Sequence, residues 1–279
     1  MSTHPPRRQG HGVKLSFYDF GATPFFASQF DQRFSYCLYV PPDYDEAASK
    51  TYDLAVIVHG TGRTAAEYRD RFADFAQRND CIVLAPLFPV GIIEPGDLAN
   101  YKRIQFHDIR YDHVLLSMVD ETIAKYRING SRFLLYGYSG GGQFCQRFFM
   151  LHPERLQAVS IGAPGVVTLL NQDYDWWVGV RDVPARFGRT IDIDAMRDVA
   201  VQTLCGTETP PPGRSPSRAT ASCGCRVPNC KATTASSGSR RWPGASRPMA
   251  SRCAETPCPA SPTNPSRSSN PCRHSSRTF

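Results

Sequence analysis

Nowhere in the 279 residues does an apolar run approach the ~20 needed to cross a bilayer. Met1 to Val13 is polar and basic, without the apolar core of a secretory leader. The sequence therefore predicts a cytoplasmic protein with no membrane partner, in which Cys37, Cys81, Cys145 and Cys205 are reduced, mostly buried thiols. A second shortage is local. The 73 residues from Thr207 to Phe279 contain no Leu, Ile, Tyr, Asp or Gln and a single Val, but 12 Pro, 14 Ser, 10 Arg and six of the chain's 10 Cys. A segment so poor in aliphatic residues cannot bury enough surface to offset the entropy of ordering it, and the expectation is a disordered tail. This tail carries 11 basic and 2 acidic residues, whereas the part before it carries 21 and 23, so the formal net charge of +7 describes the tail alone. Its arginines can bind nucleic acid only nonspecifically. Cys223, Cys225, Cys230, Cys253 and Cys258 lack the paired spacing of a zinc site, and neither a metal nor an organic cofactor is implied.

What the chain does contain is a nucleophile motif in context. A short apolar strand, Phe133 to Tyr136, runs into Gly137-Tyr138-Ser139-Gly140-Gly141, and a helix-compatible segment, Gly142 to Leu151, follows at once. Strand, sharp turn and helix around G-x-S-x-G form a nucleophile elbow. Gly137 and Gly141 are needed because a side chain beside so tight a turn would strike the neighbouring strand or helix. The helix directs its free N–H groups and positive dipole end at Ser139, where an oxyanion would develop.

Far upstream, Asp53-Leu-Ala-Val-Ile-Val58 is a continuous apolar run, as in a strand buried on both faces, and it ends in His59-Gly60-Thr61-Gly62. Further strands are predicted over Phe34 to Val40, Cys81 to Ala85, Leu156 to Ile161 and Val199 to Cys205. Helices are expected over Ala65 to Arg78 and over Asp112 to Tyr126, the latter with Asp112 as N-cap. This alternation implies an α/β protein with a doubly wound, mostly parallel sheet, whose ligands bind at the carboxyl ends of the strands. Both motifs fall at such ends. The stretch from Gly165 to Asp198 has no strong strand signal, and its Trp176 and Trp177 either line or cap a pocket or pack an insertion against the domain.

From about Arg33 to Gly206 the chain resembles the α/β-hydrolase superfamily, nearest to esterases and to the polyhydroxyalkanoate-depolymerase or dienelactone-hydrolase groups. The matching residues are Tyr39-Val40-Pro41-Pro42, His59-Gly60, Ala85-Pro86 and Gly137 to Gly141. The resemblance implies a serine-ester mechanism on a small-molecule ester. Ser139 would be the nucleophile, with the amides of Gly140 and Thr61 forming the oxyanion hole. Gly60 and His59 would support the loop. His59 precedes the nucleophile, whereas this fold orders its triad as serine, acid, histidine. The expected organisation is an N-terminal extension over 1–30, an incomplete hydrolase domain over 31–206 and a basic tail over 207–279.

The remaining triad members should follow the strand ending at Cys205, and there the sequence offers little. Asp194 and Glu208 are the candidate acids and His274 the candidate base. A shift of reading frame near the Gly206 codon accounts for this. Read two bases further on, the codons of Thr207 to Ser217 permit R-D-T-T-T-W-E-I-T-V, and those of Cys253 to Pro265 permit R-R-D-T-V-P-G-I-A-H-E-P. The one shift restores strand-forming residues, an acid and a V-P-G-x-A-H histidine loop. Two alternatives stand beside it: a genuine disordered extension, and a non-catalytic binding protein that keeps the fold and uses its pocket or basic tail for a partner.

Overall fold

The computed structural model describes residues 14–205 of the chain. Two short strands, β1 (Gly21–Ala22) and β2 (Phe26–Ala27), precede β3 (Ser35–Val40) and β4 (Asp53–Val58). Helices α1 (Ala65–Arg71) and α2 (Ala73–Arg78) lead into β5 (Cys81–Leu87). A 3-10 turn at Asn100–Arg103 and a small hairpin, β6 (Gln105–Phe106) with β7 (Ile109–Arg110), come before α3 (Tyr111–Lys125). Then follow β8 (Phe133–Tyr138), α4 (Gly140–Leu151), β9 (Leu156–Gly162), α5 (Val183–Phe187), α6 (Ile193–Arg197) and β10 (Ala200–Leu204).

Among the described residues eight strands form one sheet in the order β1-β3-β5-β4-β8-β9-β10, with β2 also on β3. From β5 to β10 every pairing is parallel, and β1, β2 and β5 all run antiparallel to β3. This is the doubly wound, mostly parallel sheet that the alternation predicts. Its two faces explain the unbroken apolar run of β4. Leu54, Val56 and Val58 belong to the larger core, with Leu115, Met118 and Val119 of α3 and Phe144 and Phe148 of α4. Ala55 and Ile57 face the other way, into a smaller core that Tyr68, Phe72 and Phe75 close. A strand covered on both faces has no polar side to show. Each fully buried side chain of this size contributes about 1.5–3 kcal/mol relative to exposure.

The structure corrects several expectations. Residues 14–30 are part of the domain rather than an extension, since β1 and β2 pair with β3 and Tyr126 Oη donates to the Asp19 carbonyl at 2.8 Å. The expected helix over 65–78 breaks at Phe72, whose N–H turns back to the carbonyls of Arg69 and Asp70 while its ring packs 4.9 Å from Tyr136. Asp112 is not the N-cap of α3, a place held by Arg110. It lies within the first turn, fully buried, because His152 and Arg110 claim its carboxylate. Of the thiols expected to be buried, Cys37, Cys81 and Cys145 are, but Cys205 is exposed. Among the described residues β10 is an edge strand, and all five of its residues are exposed. Residues 207–279, and with them the expected tail, Glu208 and His274, lie outside the described residues.

Candidate active site

Strands β4 and β8 are parallel neighbours in register, Val58 opposite Gly137, so the residues that follow them emerge side by side at one edge of the sheet. This pairing brings His59-Gly60-Thr61 to the Ser139 turn across 78 residues of sequence separation. Ser139 caps α4 at φ 55°, ψ −114°, a left-handed conformation that costs a residue with a Cβ of order 1–3 kcal/mol and persists only where surrounding structure fixes it. Here the fixing contacts are visible. Its N–H donates to the Gly162 carbonyl at 2.9 Å, and α4 starts immediately behind it. The side chain is exposed, and its hydroxyl makes no capping bond.

The glycines of the motif are required by contact. A Cβ on Gly137 would lie 2.4 Å from the Gly141 backbone, and one on Gly141 would lie 2.3 Å from the Val58 carbonyl oxygen. Gly142, which the motif does not include, is equally constrained, 2.4 Å from the Gly162 oxygen. The start of α4 therefore sits directly on the ends of β4 and β9. A Cβ on Gly140 would meet Tyr101 Oη at 2.5 Å, Lys102 Cε at 2.9 Å and Thr61 Oγ1 at 2.9 Å, which places Thr61 against the residue that follows the nucleophile. As the first residue of α4, Gly140 has an amide without an acceptor inside the helix.

His59 is fully buried and spends both ring nitrogens on backbone. Nδ1 donates to the Gly60 carbonyl at 2.8 Å, and Nε2 accepts from the Phe88 N–H at 3.0 Å. Burial, the largest influence, together with nearby Arg63 and Lys102, pushes its pKa down to about 4, so the ring is neutral at pH 7. It ties the β4 loop to the end of β5. Arg63 ties the same loop further, donating to the carbonyls of Thr61 at 2.6 Å, Leu98 at 2.9 Å and Phe88 at 3.2 Å.

The other described histidines lie elsewhere. His107 is exposed and pairs with Glu94 at 2.6 Å, and His113 is exposed on α3. His152 caps the far end of α4, about 20 Å from Ser139 at the helical rise. There Nε2 donates to Asp112 at 2.8 Å and Nδ1 accepts from Arg189 at 2.6 Å, a buried structural cluster. Burial alone would raise the Asp112 pKa, but the bonds from His152 and Arg110 outweigh it and hold it at about 2. Asp194 stands on α6, ion-paired with Arg197 at 2.6 Å and packed beside the turn that follows His152. The structure does not bring it to Ser139. Among the described residues no His–carboxylate pair reaches the nucleophile. β10 runs parallel to β9, however, and delivers Cys205 to the edge of the sheet that carries Ser139, with the Ala163 N–H bonded to the Leu204 carbonyl at 2.7 Å.

No protein-family model and no curated protein sequence matches the chain. Solved structures do. Poly(aspartic acid) hydrolase-1 from Sphingomonas sp. KT-1 superposes with a TM-score of 0.54 at 21% identity, over 67% of this chain and 72% of that one. The chain has the α/β-hydrolase fold. A poly(3-hydroxybutyrate) depolymerase from Bordetella parapertussis follows at a TM-score of 0.49 and 22% identity, over 61% of this chain and 60% of that one.

In this α/β-hydrolase fold the tryptophans of the segment between β9 and α6 are taken up in packing. Trp176 is buried against Phe187 at 4.8 Å and donates its indole N–H to the Arg103 carbonyl at 2.8 Å. Trp177, half-buried, covers the guanidinium of Arg147 at 4.1 Å. Arg147 was not legible as a site residue. It reads as the polar face of α4, yet it is fully buried, with burial pushing its pKa down to about 9, and it donates to Thr168 Oγ1 and to the carbonyls of Lys102, Gln143 and Val166. It thereby clamps the segment after β9 and the Asn100–Arg103 turn onto α4, behind Ser139.

Proposed function

We propose that the domain is a serine hydrolase acting on an ester or related acyl bond of a small molecule through an acyl-enzyme. The observation that carries this reading is Ser139 itself, an exposed side chain held at φ 55° between β8 and α4 by glycines that admit no Cβ. Strain at an exposed serine beside a helix N-terminus has a chemical use and no packing use. In the reaction the Ser139 hydroxyl attacks the carbonyl carbon, and the carbonyl oxygen becomes an oxyanion facing the amides of Gly140 and Thr61. The alkoxide leaves with a proton, and water then releases the acid. Gly137 and Gly141 permit the turn, and Gly60 and His59 fix the opposing loop.

Proton transfer needs a base, and the chain positions after Cys205 are where a histidine and its acid would enter. The shift of frame near the Gly206 codon supplies both in the expected order. Without them the oxyanion hole and binding alone give on the order of 10³–10⁴ over water. Two assays test the reading. A fluorophosphonate should label Ser139 in the chain with its frame restored, and Ser139→Ala should abolish labelling; absence of label on that folded protein would favour a binding role. A gene with one base restored near the Gly206 codon should hydrolyse a p-nitrophenyl ester at least 10²-fold faster than the chain as it stands. Equal rates would show that the triad is complete within the present sequence.

A further inference from the structure

Beside Ser139 lies a cation without a counter-charge. Lys102, on the 3-10 turn Asn100–Arg103, is only 9% exposed, and its Cε is 2.9 Å from the point where a side chain on Gly140 would begin. It therefore abuts the residue after the nucleophile, at the N-terminus of the 12-residue α4. Its ammonium forms no ion pair and no hydrogen bond among the described residues. Lys50 and Lys125, by contrast, are each paired with aspartates. The charged groups around Lys102 do not compensate it. Burial, first, and the neighbouring Arg63 both push its pKa down, and Asp97, which acts in the opposite sense, stays beyond ion-pair distance and accepts from the Ala99 N–H.

The position is built from both sides. The Lys102 carbonyl accepts from the fully buried Arg147 of α4 at 3.0 Å, and its N–H closes the turn onto Ala99 at 3.1 Å. The preceding Tyr101, also fully buried, donates its hydroxyl to the His59 carbonyl at 3.1 Å. With its stem enclosed and its ammonium unpaired but not among the fully buried polar atoms, Lys102 holds its charge open to whatever anion enters the site. The first turn of α4 adds unpaired amides and the positive end of the helix dipole at the same place, and Thr61 Oγ1 adds a hydroxyl.

We propose that Lys102, together with the first turn of α4, is an anion receptor that selects acyl substrates carrying a carboxylate close to the scissile carbonyl. As a statement about substrates this rests on the serine-hydrolase reading; as a statement about binding it does not. The test uses the full chain with Ser139→Ala, so that nothing is hydrolysed, and isothermal titration with monomethyl glutarate and dimethyl glutarate. The monoester, which bears one carboxylate, should bind at least 10-fold more tightly than the neutral diester. Adding Lys102→Met should bring the ratio of the two affinities to within two-fold of unity, Lys102→Glu should invert it, and Lys102→Arg should keep it. A ratio near one in the Lys102 protein, or a ratio that survives Lys102→Met, overturns the proposal. Equal weakening of both esters by Lys102→Met, with the ratio intact, overturns it too and assigns Lys102 to the pocket's shape. Should the methionine variant fail to fold, retention by arginine with inversion by glutamate decides the matter. If the carboxylate preference holds while a fluorophosphonate leaves Ser139 unlabelled in the chain with its frame restored, the receptor stands and the hydrolase reading falls.

Discussion

Gly141→Ala isolates the contact that sets the elbow's geometry. The added methyl would sit 2.3 Å from the Val58 carbonyl oxygen and 2.8 Å from that of His59, both backbone atoms that no rotamer change can move. Ordinary contact begins at 3.4 Å, so the first turn of α4 must retreat from the end of β4 by about 1 Å. Overpacking of this kind costs about 1–3 kcal/mol, a sizeable part of a domain's 5–15 kcal/mol margin. With a urea slope of about 1–3 kcal/mol per molar, the unfolding midpoint should fall by roughly 1 M. The functional loss should be larger than the stability loss. The same retreat carries Ser139 and the Gly140 amide away from Thr61, and a misplacement of about 1 Å costs on the order of 10² in rate. The control is Gly62→Ala in the same loop, where a Cβ meets nothing within 4 Å, and which should change neither the midpoint nor fluorophosphonate labelling. If Gly141→Ala melts and labels like the wild type, the argument that packing against β4 builds the elbow is refuted.

Other outcomes follow from the same geometry. Ser139→Gly should abolish labelling yet raise stability by about 1 kcal/mol, because glycine adopts φ 55° freely; a destabilised variant would show that the turn stores no strain. The His59 imidazole, neutral down to about pH 4 against an ordinary 6.5, should show no titration of its ring nitrogens by NMR between pH 8 and about pH 5. Because its folded pKa is depressed, stability associated with His59 is complete above about pH 6.5 and is lost as pH falls towards 4, so His59→Gln should flatten that part of the stability profile. Asp112 acts in a lower window. Its stabilisation, about 2 kcal/mol for a pKa near 2 against an ordinary 3.8, is complete above about pH 4 and lost towards pH 2, and an Asp112→Asn variant melting like the wild type at pH 7 would contradict the cluster.

The sequence by itself determined the layered sheet, the strand that holds His59 and the elbow. Each of these rests on local constraint: strands buried on both faces must be apolar throughout, and a turn as tight as that at Ser139 demands glycine two residues to either side, at Gly137 and Gly141. Tertiary structure decided what depends on partners distant in the chain. Asp112 looked like a helix cap because its buried partners, Arg110 and His152, are visible only once α3 and the end of α4 meet. Gly142 lies outside the motif, and its constraint comes from Gly162 on β9. Arg147 and Lys102 stand in a helix and a loop that give no periodic signal of burial, and only the docking of the Asn100–Arg103 turn on α4 encloses them. A charged side chain is written into sequence as a surface residue. Whether it stays in water, and whether it finds a counter-charge there, is settled by which elements the fold brings against it.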